Sequence, residues 1–231
     1  MATKTIEMPE IGKVNLKKNS ASKSIRISLP PNGEVNVSMP RWVPYNMAIK
    51  FVDSRKQWIL ENKVNQNLFT NNQQIGKSHF LKLQPSTSQK SISARIKGNE
   101  LWVKYPSDVT SDSPEVQKKA KQIAVKALRL QAEEMLPDQL RDLAKEHDFS
   151  VKSIEIRNLK ARWGSCNSKK EITLNLYLML LPWELIDYVI LHELSHTKAM
   201  HHGADFWSVF ERAMPDAKKK RKKIQQYKPA F

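Results

Sequence analysis

The 231-residue chain has little of what marks three protein classes. It has one cysteine, Cys166, so an intramolecular disulfide framework is excluded. No apolar run approaches the roughly 18 residues of a membrane-spanning helix, and the opening MATKTIEMPEIGK lacks the apolar centre of a signal peptide. The expectation is a cytoplasmic protein with no membrane partner. Acidic residues are scarce, 23 Asp+Glu against 39 Lys+Arg, which leaves a net charge of +16. Wholesale disorder is still excluded, because 40% hydrophobic and 27% charged residues are ordinary for a folded protein. The sequence shows no internal repeat.

The positive charge is unevenly spread. Lys/Arg minus Asp/Glu is +5 over 1–50, +4 over 51–113, +1 over 114–147, 0 over 148–208 and +6 over 209–231. Basic termini permit a nucleic-acid partner through phosphate attraction without requiring one. The densest run, Lys218-Lys219-Lys220-Arg221-Lys222-Lys223, has a simpler reading as the solvated face of a helix.

Residues 1–22 are polar, lysine-rich and aperiodic, which predicts a flexible basic arm. Over 23–110 the pattern is β-rich. Ile25, Ile27 and Leu29 alternate, Pro30-Pro31-Asn32-Gly33 supplies turn chemistry, and Val35, Val37 and Met39 alternate again, which predicts a hairpin. Met47, Phe51, Trp58 and Ile59 predict one amphipathic helix from Pro44 to Asn62, residues 64–78 a connection, and Gly98-Asn99 the turn of a second hairpin, 91–97 with 100–105. From 111 to 231 the pattern is a long helix over 114–147 with Pro137 inside it, then strands over 151–157 and 171–178. A helix opened by Pro182 comes next, then a short one through Phe206, Trp207, Phe210 and Met214, and a basic C-terminal one.

The chemistry concentrates in His192-Glu193-Leu194-Ser195-His196, an H-E-x-x-H pattern. On a helix, positions i and i+4 lie one turn apart on one face, so both imidazoles can reach a single cation. Glu193 between them is placed to take a proton from water activated by that metal. The surrounding stretch is strongly apolar, where two histidines and a glutamate are costly to bury without a shared purpose. Four of the six histidines, at 192, 196, 201 and 202, fall within eleven residues. A third imidazole is thus available, with Gly203 to let the chain bend, and the turn is expected over Met200–Gly203. Ala199 stands where a metzincin has its turn glycine, which argues against that class. Imidazole donors favour Zn2+.

Arg162-Trp163-Gly164-Ser165-Cys166, Ile172-Thr173-Leu174-Asn175, Leu181-Pro182, Tyr188 through His196, and His202-Gly203-Ala204-Asp205-Phe206-Trp207 resemble the YgjP-like metallopeptidase family, related to SprT-like and other gluzincin-type proteases. The correspondence spans roughly 20–226 and is most specific over 157–215. The resemblance implies an α+β protein, a β-rich N-terminal part followed by a minimal zincin core with an HExxH helix. It also implies a zinc-dependent hydrolase acting on a protein or peptide substrate, with His192 and His196 on the metal, Glu193 as general base and His202 completing the site. Where the family often has Asn before the third histidine, this chain has His201.

Other residues carry two readings. Arg162 is a candidate to stabilise the oxyanion, or a loop arginine paired with a carboxylate. Tyr177 is a similar candidate, or a core aromatic. Cys166 is a free thiol rather than a ligand when three imidazoles are at hand, and Trp163 and Trp207 are packing anchors. The segment 171–178 is the expected edge strand along which an extended substrate would lie, unless both its edges are filled. The alternative function is a basic nucleic-acid-associated protein with a structural or vestigial metal site, or a protease acting on nucleic-acid-bound proteins. An intact Glu193 weighs against a purely structural site, which needs four protein ligands and no base.

Overall fold

Alternating residues build a four-stranded sheet at the start of the chain. Strands β1 (Thr3–Met8), β2 (Gly12–Lys18), β3 (Arg26–Ser28) and β4 (Val35–Met39) lie in the order β1-β2-β4-β3. β2 and β4 run parallel and the outer pairs antiparallel. Val14, Leu16, Val35, Val37 and Met39 point to one face and are at most 1% exposed. Burial on this scale stabilises by about 1.5–3 kcal/mol per large apolar side chain. Helices α1 (Tyr45–Ser54) and α2 (Lys56–Val64) contribute Ala48, Val52 and Ile59 to the same core.

Three expectations are corrected in this unit. β1 and β2 occupy the segment expected as a loose arm, because Ile6, Val14 and Leu16 alternate with polar residues and share the core face with β4. The single helix expected over 44–62 is two, separated at Arg55. The apolar face agrees with the expected one at Ile59, which is buried, but Met47 and Trp58 are exposed, and Ala48 and Val52 are buried in their place. β3 and β4 pair antiparallel as the hairpin reading requires; its Pro30–Gly33 turn lies outside the described residues. The computed structural model describes residues 3–29, 34–64 and 68–229.

The chain forms two compact units, Met1–Leu68 and Phe69–Phe231. The second begins with β5 (Gln74–Ile75), β6 (His79–Ser86), β7 (Ser93–Lys97) and β8 (Glu100–Pro106), in the order β5-β6-β8-β7. Directions repeat those of the first sheet, with β6 parallel to β8 and the outer pairs antiparallel. The connectivity therefore recurs although the sequence shows no repeat. β7 and β8 form the hairpin expected at Gly98-Asn99, where Gly98 takes φ +55°. β5 and β6 fall where no strand is expected, since Gln74–Ile75 is only two residues long and His79–Ser86 contains Pro85.

Helix α3 (Pro114–Glu146) starts at Ser113, whose Oγ accepts the Val116 N–H at 3.4 Å, with Pro114 in the first turn. It continues through Pro137 and buries Val116, Ala120, Ala124, Ala127, Leu128, Leu136 and Leu140. These share one core with Leu81, Leu101 and Val103, so the sheet expected within a separate 23–110 region belongs with α3. Gln131 of α3, 1% exposed, accepts the Lys77 N–H and donates to the Ile75 carbonyl at 3.0 Å.

A three-stranded sheet comes next: β9 (Ser153–Arg157), β10 (Gly164–Cys166) and β11 (Glu171–Asn175), in the order β10-β11-β9. The strand expected over 171–178 ends at Asn175, where the chain passes into a 3-10 turn, Leu176–Leu180. Helices α4 (Trp183–Ser195), α5 (Ala204–Ala213) and α6 (Ala217–Ile224) complete the unit. α4 lies against α3, β10, β11, α5 and α6, which makes it the centre of this half. The protein is thus α+β, with sheets and, among the described residues, six α-helices. Among the described residues no helix is long and apolar enough to cross a membrane.

Candidate metal centre

The H-E-x-x-H segment lies at the end of α4. Ser195 Oγ donates to the Leu191 carbonyl and Thr197 Oγ1 to the Leu194 carbonyl, each at 2.7 Å. These hydroxyls bond back to carbonyls of the last turns of the helix, which ends at Ser195 with His196 as its C-cap. The turn therefore starts at His196, earlier than the expected Met200–Gly203, and Gly203 precedes the first residue of α5.

This turn brings the third imidazole back to the helix. His192 Nε2 and His202 Nε2 are 3.1 Å apart. One ligand atom each from His192, His196 and His202 falls within 4.8 Å of the others, the one such group among the described residues. His201 is exposed and is not part of it. Burial pushes the His192 imidazole down to about 3, with His196 and His202 as smaller causes, and burial likewise lowers His196. Both rings are therefore neutral near pH 7 and keep a lone pair to donate. His196 Nδ1 is 3.3 Å from the Ala199 carbonyl, a contact that holds the proton on Nδ1 and leaves Nε2 for a cation. His192 Nδ1 is buried without a hydrogen-bond partner among the described residues. Three convergent imidazole nitrogens match the donor set of a catalytic zinc site.

Phe206 of α5 forms the wall behind the three imidazoles, its ring centroid 5.0 Å from His192, 4.6 Å from His196 and 4.6 Å from His202. Tyr188 and Phe210 extend that wall beside His192. In the sequence Phe206 and Phe210 mark only a helix. Their spacing at i, i+4 gives no sign that one of them faces the histidines.

Glu193, one position on from His192, is 6% exposed and lies against Gly164 of β10. Burial raises its carboxyl to about 8, and the positive charge of Arg162 opposes part of that rise. Arg162 itself is exposed, so of the two residues considered for an accessory role it is the one whose charge reaches the base. Tyr177 is buried in the 3-10 turn, hydrogen-bonded to Asn158 and packed in the core, which is the second of its two readings. Trp163 and Trp207 pack on the same core, as anticipated. Cys166 is a free, half-buried thiol raised to about 11, by burial first and by the Glu193 charge second.

The expectation that 171–178 supplies an open strand edge is overturned. β11 is central, paired antiparallel to β10 on one side and parallel to β9 on the other, so both its edges are filled. β10 is the edge strand that lies against α4.

The basic C-terminal run is largely engaged within the unit. Lys218 pairs with Glu211 and Lys220 with Asp216, Lys223 pairs with Glu184, and Arg221 lies 5.4 Å over the Trp207 ring. These contacts favour the solvated-face reading over a nucleic-acid site.

The model of the YgjP-like family, metallopeptidase domain, matches residues 23–227, nearly the whole chain. This chain belongs to the YgjP-like metallopeptidase family. It is accordingly a hydrolase of the metallopeptidase class. Two solved structures of such enzymes are similar over part of the YgjP-like chain. The metallopeptidase zymogen of Pyrococcus abyssi abylysin is 28% identical, with a TM-score of 0.37, covering 40% of this chain and 93% of that one. The metallopeptidase zymogen of Methanocaldococcus jannaschii jannalysin is 28% identical, with a TM-score of 0.34, covering 39% of this chain and 93% of that one. No curated protein matches.

Proposed function

We propose that this metallopeptidase is a zinc-dependent endo- or exopeptidase in which His192, His196 and His202 hold the metal and Glu193 is the general base. The observation that carries the reading is the convergence of three imidazoles, with a buried carboxyl on the helix position after the first of them. Zinc, when bound, supplies Lewis acidity toward a carbonyl oxygen and acidification of water. The remaining work falls to the chain. Glu193, raised to about 8, is a far stronger base than an ordinary carboxylate. It takes a proton from the attacking water, holds it on a carboxyl oxygen, and passes it to the nitrogen that leaves as the peptide bond breaks. The Arg162 cation, which reaches Glu193 electrostatically, keeps a share of that carboxyl ionised and so ready to accept. The free N–H and C=O groups of β10 offer an extended peptide a strand to pair with beside Glu193.

The test is Glu193→Gln. The amide keeps the size of the side chain but cannot accept the proton, so zinc content stays stoichiometric while peptide hydrolysis falls by a factor on the order of 10² to 10⁴. Metal analysis and a peptidase assay on the same preparation separate the two. Loss of zinc in that variant makes the carboxylate a ligand and ends the general-base reading.

A further inference from the structure

Two residues of the family-like motifs have no role so far, and the geometry gives them one. Gly164 is the first residue of β10, where that strand meets α4. A methyl group in place of its hydrogen would lie 2.8 Å from Glu193 Cγ, 2.9 Å from Oε1 and 3.1 Å from Cδ. Two of these are closer than non-bonded carbon and oxygen contacts allow. No positive φ demands glycine at this position, so the reason is space alone: the recess left by the missing side chain is filled by the Glu193 carboxyl.

The depth of that recess is set from the other side of the strand. Asn175, 0% exposed at the end of β11, donates from Nδ2 to the Leu159 and Arg162 carbonyls, each at 2.8 Å. Its backbone N–H reaches the Trp163 carbonyl at 2.9 Å, and its Oδ1 accepts the Tyr177 N–H at 3.2 Å. One buried residue thus ties down the loop that leads directly into Gly164. The antiparallel register Gly164↔Leu174, Ser165↔Thr173, Cys166↔Ile172 carries that constraint along β10.

We propose that Gly164 and Asn175 are positioning residues for Glu193: Asn175 fixes where β10 lies, and the bare Cα of Gly164 provides the seat for the carboxyl. Both act through Glu193 rather than on the substrate. The inference deepens the general-base reading and rests on it for its effect on catalysis, while the seat itself can be tested without activity.

The experiment is a pair of mutant cycles on the full-length, zinc-loaded protein. Gly164→Ala keeps zinc, lowers kcat by about 10- to 100-fold because the base is displaced by a fraction of an ångström to an ångström, and leaves KM within about twofold. It also lowers the melting temperature. In a Glu193→Ala background the same alanine meets no carboxyl, and its cost in melting temperature disappears. Should Gly164→Ala fail to fold alone while the double variant folds, the proposal stands. Equal losses of melting temperature in both backgrounds, or failure of both to fold, mean that the methyl collides with something else and overturn it. Asn175→Asp, of equal size, turns a carboxylate oxygen toward the two carbonyls; kcat falls in the wild-type background and not further in Glu193→Gln. The same fold-loss in both backgrounds removes Asn175 from the proposal. Full activity in Glu193→Gln sinks the general-base reading instead, and the melting cycle then decides the seat independently.

Discussion

The first sheet, β1-β2-β4-β3, and the sheet that opens the second unit, β5-β6-β8-β7, have the same strand order and the same parallel and antiparallel pairs. The helices after them differ. The first sheet is succeeded by two short helices of 10 and 9 residues. The second is succeeded by a 33-residue helix whose buried face serves that sheet and also the elements around α4. One sheet plus short helices closes a small core of its own. The other becomes one wall of a larger core that also contains the residues flanking the histidines. A single backbone plan thus ends in one case in a core of its own and in the other within the core that flanks the histidines.

Zinc binding breaks the comparison most sharply, because only the second unit holds the imidazole group among the described residues. His202→Ala removes one of the three convergent imidazoles and is expected to reduce zinc affinity by more than the roughly 10- to 100-fold that outer-shell changes cost; His201→Ala, exposed and outside the group, is expected to retain zinc. Competition against a chelating dye measures both. A reversed result exchanges their roles, and tight zinc in both variants points to another ligand.

Core truncation sharpens it. Leu16→Ala in the first unit and Leu128→Ala in the second each remove a fully buried side chain and cost about 2–5 kcal/mol. Zinc at about a thousand times its dissociation constant stabilises the state that binds it by roughly 4 kcal/mol. In calorimetry, added zinc therefore offsets the Leu128→Ala loss and leaves the Leu16→Ala transition where it was. An equal response of both ties the two cores into one cooperative unit.

The pH dependence of Cys166 probes the site side alone. A thiol at about 11 has about one thiolate in a thousand at pH 8, against roughly one in four for a free cysteine. Alkylation in the metal-free protein is accordingly slow at pH 8 and accelerates as pH rises toward 11. Reaction at the rate of an unhindered peptide thiol contradicts the burial that raises it. The smallest effect belongs to the basic run: Lys219 and Lys222, both exposed, changed together to Gln shift stability by no more than about 0.5 kcal/mol each and leave zinc content and hydrolysis unchanged. A lost activity gives the run a part in catalysis.

The legible portion of the site is the part written in local spacing. His192, Glu193 and His196 share a helix, so their proximity comes from 3.6 residues per turn, and His202 comes from the family resemblance. That 171–178 has no open edge was not legible, because whether a strand is central or peripheral depends on what pairs with it. Gly164–Cys166, only three residues, fills the side of β11 that was expected to be open. Asn175 and Gly164 stand in the family-like motifs without a visible function, since a residue that bonds three carbonyls distant in sequence has no local signature.

The amino-acid sequence by itself determined the α+β class, the helix of the H-E-x-x-H segment, the hairpin at Gly98 and the family. Each of these is a matter of periodicity, turn chemistry or motif over a few residues. Only the tertiary structure decided which strand forms the edge beside Glu193 and that the two sheets share a plan. These depend on contacts between residues far apart in the chain, where burial and hydrogen-bond satisfaction, rather than local propensity, select the arrangement.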